Sequence, residues 1–179
     1  MKLHLGCGKR HIPGFTHIDA VDYPHVDHVA TIDNLGFIGS DSVELIYTCH
    51  VLEHFRRNDA ARVLREWWRV LNPGGTLRVS VPDFARLCEV YQKNHDITQV
   101  IGPIFGRQDY LYNIHYNVFD EASLTSLLAE SGYIDMRRYD WRDTEHANID
   151  DYSQAYLPHM NKDTGVLISL NMEATKPRG

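Results

Sequence analysis

The first third of the chain alternates short apolar runs with polar breaks. Lys2–Leu5, Phe15–Asp19, His28–Ile32 and Val43–Thr48 each have the length of a strand, and each ends in Gly, Asp or a polar cluster. The period then lengthens. Ala60, Val63, Leu64, Trp67 and Leu71 recur at helical spacing and predict a helix from Asn58 to Leu71, capped by Asn58 or Asp59 and stopped by Asn72-Pro73-Gly74-Gly75. Thr76–Val81 reads as a β-branched strand, and Asp83 caps a helix reaching about Lys93. From His95 to Asn117 the pattern is irregular. Asp120 caps a helix that carries Leu124, Leu127 and Leu128 on one face and closes at Ser131-Gly132. Two further strands, near Tyr133–Trp141 and Gly165–Thr175, flank a polar, acidic loop over 142–164. Strands alternating with helices predict one α/β domain over residues 1–179, with three layers around a mostly parallel sheet.

Composition narrows the classes. The 179 residues are 43% hydrophobic and 23% charged, as in an ordinary globular domain. No apolar run is long enough to span a bilayer, and Met1 leads straight into KLHL without a leader pattern, so neither a membrane nor secretion is expected. Cys7, Cys49 and Cys88 are too few for a disulfide framework and suit a reducing cytoplasm. A net charge of −6 argues against nucleic acid held on a basic surface. Eleven histidines are the unusual feature.

In sheets of this kind ligands sit at the carboxyl ends of the strands. Those ends carry Leu5-Gly6-Cys7-Gly8, then Asp19, Asp33-Asn34-Leu35, Cys49-His50 and Pro82-Asp83. Two glycines permit a tight turn and a close approach of backbone N–H groups to a ligand. A third glycine at the dinucleotide spacing is missing, which disfavours a nicotinamide enzyme. In this order the segments LHLGCG, FTHID, TIDNLGF, SVELIYTCHVLEHF and RVLNPGGTLRVSVPDF resemble the class I S-adenosylmethionine-dependent methyltransferases, especially the small single-domain kind. The resemblance implies a Rossmann-like α/β/α sandwich, a seven-stranded sheet with an antiparallel last strand, and S-adenosyl-L-methionine as cofactor. It sets the Leu5-Gly6-Cys7-Gly8 turn beside the methionine part, Asp19 on the ribose, and Asp33, Asn34 and Leu35 near the adenine. Cys49 and His50 would border the sulfonium end. One departure stands out: Gly8 to Phe15 is too short for the usual first crossover helix.

His50-Val51-Leu52-Glu53-His54 is the sharpest local feature, since positions 50, 53 and 54 share one face of a helix. H-x-x-E-H is also a metallopeptidase pattern. Similar Glu-x-x-Glu-His arrangements hold magnesium in some metal-dependent methyltransferases, and here His50 replaces the first carboxylate, which leaves room for a softer divalent ion. The favoured expectation is a metal-free, hydrogen-bonded polar cluster under the cofactor, with His50 lining the acceptor pocket. His115, in the segment 95–118 that covers the acceptor side in similar enzymes, is a further candidate base. His146, Asp150, Asp151, Tyr152, Tyr156 and His159 form a second polar-aromatic group, suited to a hydroxyl-rich or cationic acceptor. His4 and His17 read as structural, and Arg56-Arg57 as a solvated pair. The function expected is methyl transfer to a small polar acceptor, an oxygen of a sugar or related metabolite, with His50, Glu53, His54 and His115 as catalytic candidates. A non-catalytic adenosylmethionine-binding protein and a metal-dependent hydrolase are the alternatives. The sequence leaves the oligomeric state open.

Overall fold

The structure, a computed structural model, describes residues 1–178. Seven strands form one sheet: β1 (Lys2–Leu5), β2 (Thr16–Asp19), β3 (His28–Val29), β4 (Val43–Cys49), β5 (Leu71–Pro82), β6 (Ile134–Arg138) and, last in the chain, β9 (Ser169–Thr175). The order is β3-β2-β1-β4-β5-β9-β6, and β9 runs antiparallel to both of its neighbours. The order reverses at β1, where β4 pairs on the side opposite β2. A two-stranded hairpin, β7 (Tyr156–Leu157) with β8 (Val166–Leu167), lies in the loop before β9.

Helix α1 (Arg57–Val70) buries Ala60, Val63, Leu64, Trp67 and Val70 against one face of the sheet. Full burial of a side chain of the size of Val63, Leu64 or Val70 stabilises by about 1.5–3 kcal/mol. The cap differs from expectation. Arg56 is the N-cap and makes no side-chain capping bond, so packing of this apolar stripe, rather than Asn58 or Asp59, fixes where the helix starts. Helix α2 (Phe84–Asn94) does begin on Asp83, whose carboxylate accepts from the N–H of Ala85 and Arg86. Residues 95–117 are not wholly irregular: α3 (Thr98–Phe105) forms there, started by Asp96 accepting from Thr98 N–H at 2.9 Å. Pro103 sits inside that short helix, where it removes a single backbone bond. Helix α4 (Glu121–Glu130) starts in a capping box of Asp120 with Ser123. The strand expected over Gly165–Thr175 breaks into β8 and β9, and three others change length. The third shrinks to His28–Val29, the fifth extends back to Leu71 across a register break, and the sixth ends at Arg138.

The two faces of the sheet differ in chemistry. Leu3, Leu5, Ile18, Ile46, Leu77, Val79, Leu170 and Met172 point into the main core with α1 and α4. One register over, a row runs from His17 through His4, Tyr47, Arg78 and Glu173 to Arg137, directly paired across six strands. The usual crossover helix between β1 and β2 is absent, as the short link predicts. In its place the turn over 10–15 and the loop over 142–155 cover this polar face, with Ile12, Phe15, Leu45 and Tyr47 as a small apolar cluster. The expected third layer is therefore built largely of loops on this side.

Candidate functional site

At the end of β1 the chain turns through Gly6 and Gly8, at φ +65° and +53°, a region in which only glycine is unstrained. Asp19, at the end of β2, accepts from Gly8 N–H and Val21 N–H, both at 2.8 Å. The carboxylate thus clamps the glycine turn to its neighbouring strand. Each of its oxygens retains a second lone pair, and the side of Gly8 where a Cβ would stand is open space. This is a cradle with acceptors at one edge. Burial pushes the Cys7 thiol up to about 12 and raises that of Cys49, so neither is a thiolate nucleophile.

The residues after β3 are less exposed than the sequence suggests. Leu35 is wholly enclosed in the core, so its side chain offers no surface to an adenine. Its N–H donates to Glu66 at 2.7 Å, and Arg69 binds its carbonyl. Leu5 is likewise buried and contributes backbone alone. Asp33 pairs with Arg62 at 3.0 Å, and Asn34 accepts from Gly36 N–H. Of these, Asp33 is partly exposed and Asn34 exposed.

After β4 the backbone leaves the sheet through His50 at φ +54° and winds a short 3-10 turn over Leu52–His54, not the α-helix face anticipated. The side chains still converge. His50 Nδ1 lies 3.5 Å from a Glu53 carboxylate oxygen, and His115 Nε2 lies 4.0 Å from the same atom. The His54 and His115 rings meet edge-on at 4.7 Å. Segment 113–117 is hooked to the turn, since the N–H groups of Tyr116 and Asn117 donate to the Glu53 carbonyl and Asn117 Nδ2 donates to Phe55 O. Gly106, where a Cβ would collide with the Asn113 carbonyl, lets that segment come close.

Second partners fix each ring. His50 Nε2 faces Ser169 Oγ at 3.1 Å, and Ser169 donates on to Asn171. His115 Nδ1 faces Pro103 O at 2.9 Å, while His54 has Ile114 O on Nδ1 at 3.1 Å and His50 O on Nε2 at 3.2 Å. Burial lowers His50 to about 3 and His115 to about 4, with neighbouring histidines adding to it, so both rings are neutral at physiological pH. Burial pushes Glu53 up to about 8. The expected hydrogen-bonded cluster is not what forms. Glu53 is completely buried, and neither carboxylate oxygen has a hydrogen-bond partner among the described residues. Ser169, Asn171 and the carbonyls of Pro103 and Ile114 were not foreseen. The alternation of Ser169, Asn171 and Glu173 along β9 was a readable sign of a polar face.

The second polar-aromatic group divides: His146, Asp151 and Tyr156 turn inward, and Asp150, Tyr152 and His159 are exposed. His146 packs 4.2 Å from the Tyr47 ring, Asp151 accepts from Tyr47 OH at 2.6 Å, and the Tyr156 hydroxyl accepts from Arg142. Tyr152 is the member at the site, half exposed and 5.4 Å from the His50 ring. Cys7, Cys49 and Cys88 are all free. Among the described residues no helix is long and apolar enough to cross a membrane.

Residues 13–79 match the family model described as a methyltransferase domain. No curated protein matches the chain in sequence. Solved structures do match in fold. An S-adenosylmethionine-dependent methyltransferase from Methanosarcina mazei superposes with a TM-score of 0.60 at 16% identity, covering 99% of this chain and 92% of that one. One from Archaeoglobus fulgidus gives 0.60 at 13%, covering 98% and 85%. The 1,6-didemethyltoxoflavin-N1-methyltransferase of Burkholderia thailandensis, solved with its substrate and S-adenosylhomocysteine, gives 0.57 at 16%, covering 98% and 70%.

Proposed function

We propose that this chain is an S-adenosylmethionine-dependent methyltransferase of class I architecture and that it methylates a hydroxyl oxygen on a small polar acceptor, a sugar or related metabolite. The observation that carries this reading is the pairing of two strand-end features. The Gly6–Gly8 turn clamped by Asp19 faces ligand space at β1, and a buried cluster of His50, Glu53, His54 and His115 stands beside it after β4. The two touch through Val51, whose methyls fill the space against Gly6.

Gly6, Cys7 and Gly8 offer backbone to the cofactor, and Asp19 has free lone pairs for ribose hydroxyls. Asp33 and Asn34 reach toward the adenine, and Cys49 and His50 border the reacting end. When bound, the cofactor supplies an already activated sulfonium methyl, so the protein's own share is proximity, alignment and exclusion of water. With Nδ1–H donated to Pro103 O, His115 keeps an Nε2 lone pair free to receive an acceptor hydroxyl, and His54 and His50 stand around it. Tyr152 and the tyrosines of the 95–118 segment offer flat faces to a sugar ring.

Calorimetric titration with S-adenosylmethionine, S-adenosylhomocysteine and NAD tests the cofactor. Micromolar binding of both adenosyl compounds, weakened at least about tenfold in Asp19→Ala and unmatched by NAD, is expected. Absence of adenosyl binding overturns the reading. Mass spectrometry of products from matched hydroxyl and amine acceptors tests the oxygen preference, which transfer to amines alone refutes.

A further inference from the structure

We propose that Glu53, His54 and His115 hold a divalent transition-metal ion of the zinc, iron(II) or cobalt(II) class, with His50 at hand as a further donor. One ligand atom from each of the three residues lies within 4.8 Å of the others. A metal binding each at about 2.0–2.2 Å in tetrahedral geometry spans donor gaps of about 3.4 Å, so closure needs the donors to draw together by up to about 1.4 Å.

Three independent features support the site. The first is Glu53 itself, completely buried with both carboxylate oxygens unpartnered among the described residues. A buried acceptor left without a donor is destabilising, more so when charged, and a bound cation supplies the missing partner. The second is the orientation of the rings. His115 Nδ1 faces Pro103 O at 2.9 Å and His54 Nδ1 faces Ile114 O at 3.1 Å. Metal-bound histidines characteristically donate their other ring N–H to such carbonyls, which fixes the tautomer. His54 Nε2 also lies 3.2 Å from His50 O, so binding through either nitrogen replaces one carbonyl contact. The third is the donor set: two imidazoles with one carboxylate select borderline ions over magnesium, which prefers oxygen ligands and keeps its waters.

Three protein ligands leave coordination positions open. Under the methyl-transfer reading, on which this clause rests, an acceptor hydroxyl would occupy one and lose its proton more readily there. The histidines would then act as ligands, and the metal would take over the polarising role.

The test uses the tag-free chain, stripped by chelator and titrated separately with zinc, manganese and magnesium chlorides, together with cobalt(II) followed by visible absorption. Expected are one zinc or cobalt per chain, ligand-field bands of a nitrogen/oxygen site, and no comparable magnesium binding. Glu53→Gln and His115→Ala should each weaken zinc binding by at least about 100-fold, larger than the tenfold to 100-fold typical of outer-shell partners. Lack of stoichiometric binding by the unaltered chain overturns the proposal, even if the variants fail to fold. Undiminished binding by both folded variants also overturns it. Adenosyl binding is measured on the stripped protein in parallel. If it persists without a metal site, only the metal proposal fails, and a metal site without adenosyl binding refutes the methyltransferase reading instead.

Discussion

The glycine turn and the histidine turn meet at a single contact, and that contact can be measured. A Cβ on Gly6 would stand 2.5 Å from Val51 Cγ2 and 3.1 Å from Cγ1, at a φ of +65°. Two costs follow for Gly6→Ala. The left-handed backbone costs an L-residue about 1–2 kcal/mol. The overlap is about 1 Å inside ordinary carbon contact, and because β-branched Val51 cannot rotate both methyls away, overpacking adds about 1–3 kcal/mol. The sum is about 2–5 kcal/mol. In Gly6→Ala/Val51→Ala both methyls are gone, and the nearest remaining atom is the residue-51 Cβ, at the 3.4 Å of an ordinary contact. The overlap term then vanishes while the backbone term stays. A urea-denaturation cycle of the two single variants and the double variant should therefore show about 1–3 kcal/mol of favourable coupling. Additivity to within about 0.5 kcal/mol would refute the contact as the physical link between the two turns.

Two further outcomes follow from the same packing. Burial depresses the pKa of His146, and His4 and His17 shift the same way, the last despite its Asp27 partner. These rings stay neutral when folded and take protons when unfolded, so their contribution to stability is present above about pH 6.5 and is lost as pH falls toward their folded pKa values. Each adds up to about 1.4 kcal/mol per pH unit to that loss, and His146→Phe should flatten the stability profile below about pH 6.5 by close to one proton. The same variant removes two buried, unpartnered ring nitrogens and should be neutral or more stable at pH 7, and an unchanged pH slope counts against the argument. Gly106→Ala should push the Asn113 backbone off its seat, so hydrogen exchange at Tyr116 and Asn117 should quicken while that of β4 is unchanged.

Much of this was legible in the sequence because it is written in period and punctuation. The apolar stripe of α1, the caps at Asp83 and Asp120, and the glycine turn followed by Asp19 all lie where local pattern places them. Local pattern fails where tertiary contacts decide. Leu35 reads as a strand-end residue beside a ligand, yet Glu66 and Arg69 hold its backbone so that the side chain fills the core. Helix α3 hides behind Gly102-Pro103, which reads as a breaker. The pairing of His115 with Glu53 spans 62 positions and depends on two backbone bonds to the Glu53 carbonyl, which no spacing rule encodes.

The missing crossover helix explains why so many histidines collect here. A helix between β1 and β2 would lay a continuous apolar layer over one face of the sheet. Ten residues cannot form a helix and also make the return, so turns and the 142–155 loop cover that face instead. Loops bring their own backbone polar groups, which need partners when buried. Strand residues facing them are accordingly amphipathic: His17 N–H and ring both meet Asp27, its Nε2 accepts from Ile12 N–H, Tyr47 donates to Asp151, and Arg78 joins Glu145 to Glu173. The adjoining polar row, Cys49, Ser80 and Asn171, continues to Ser169 and through it to His50. The histidine cluster after β4 is therefore the outer end of a polar layer that the short link makes necessary. Its rings are held from beneath by the sheet and from above by the 113–117 segment, which is the arrangement a site needs if it is to bind an ion or a hydroxyl without rebuilding itself.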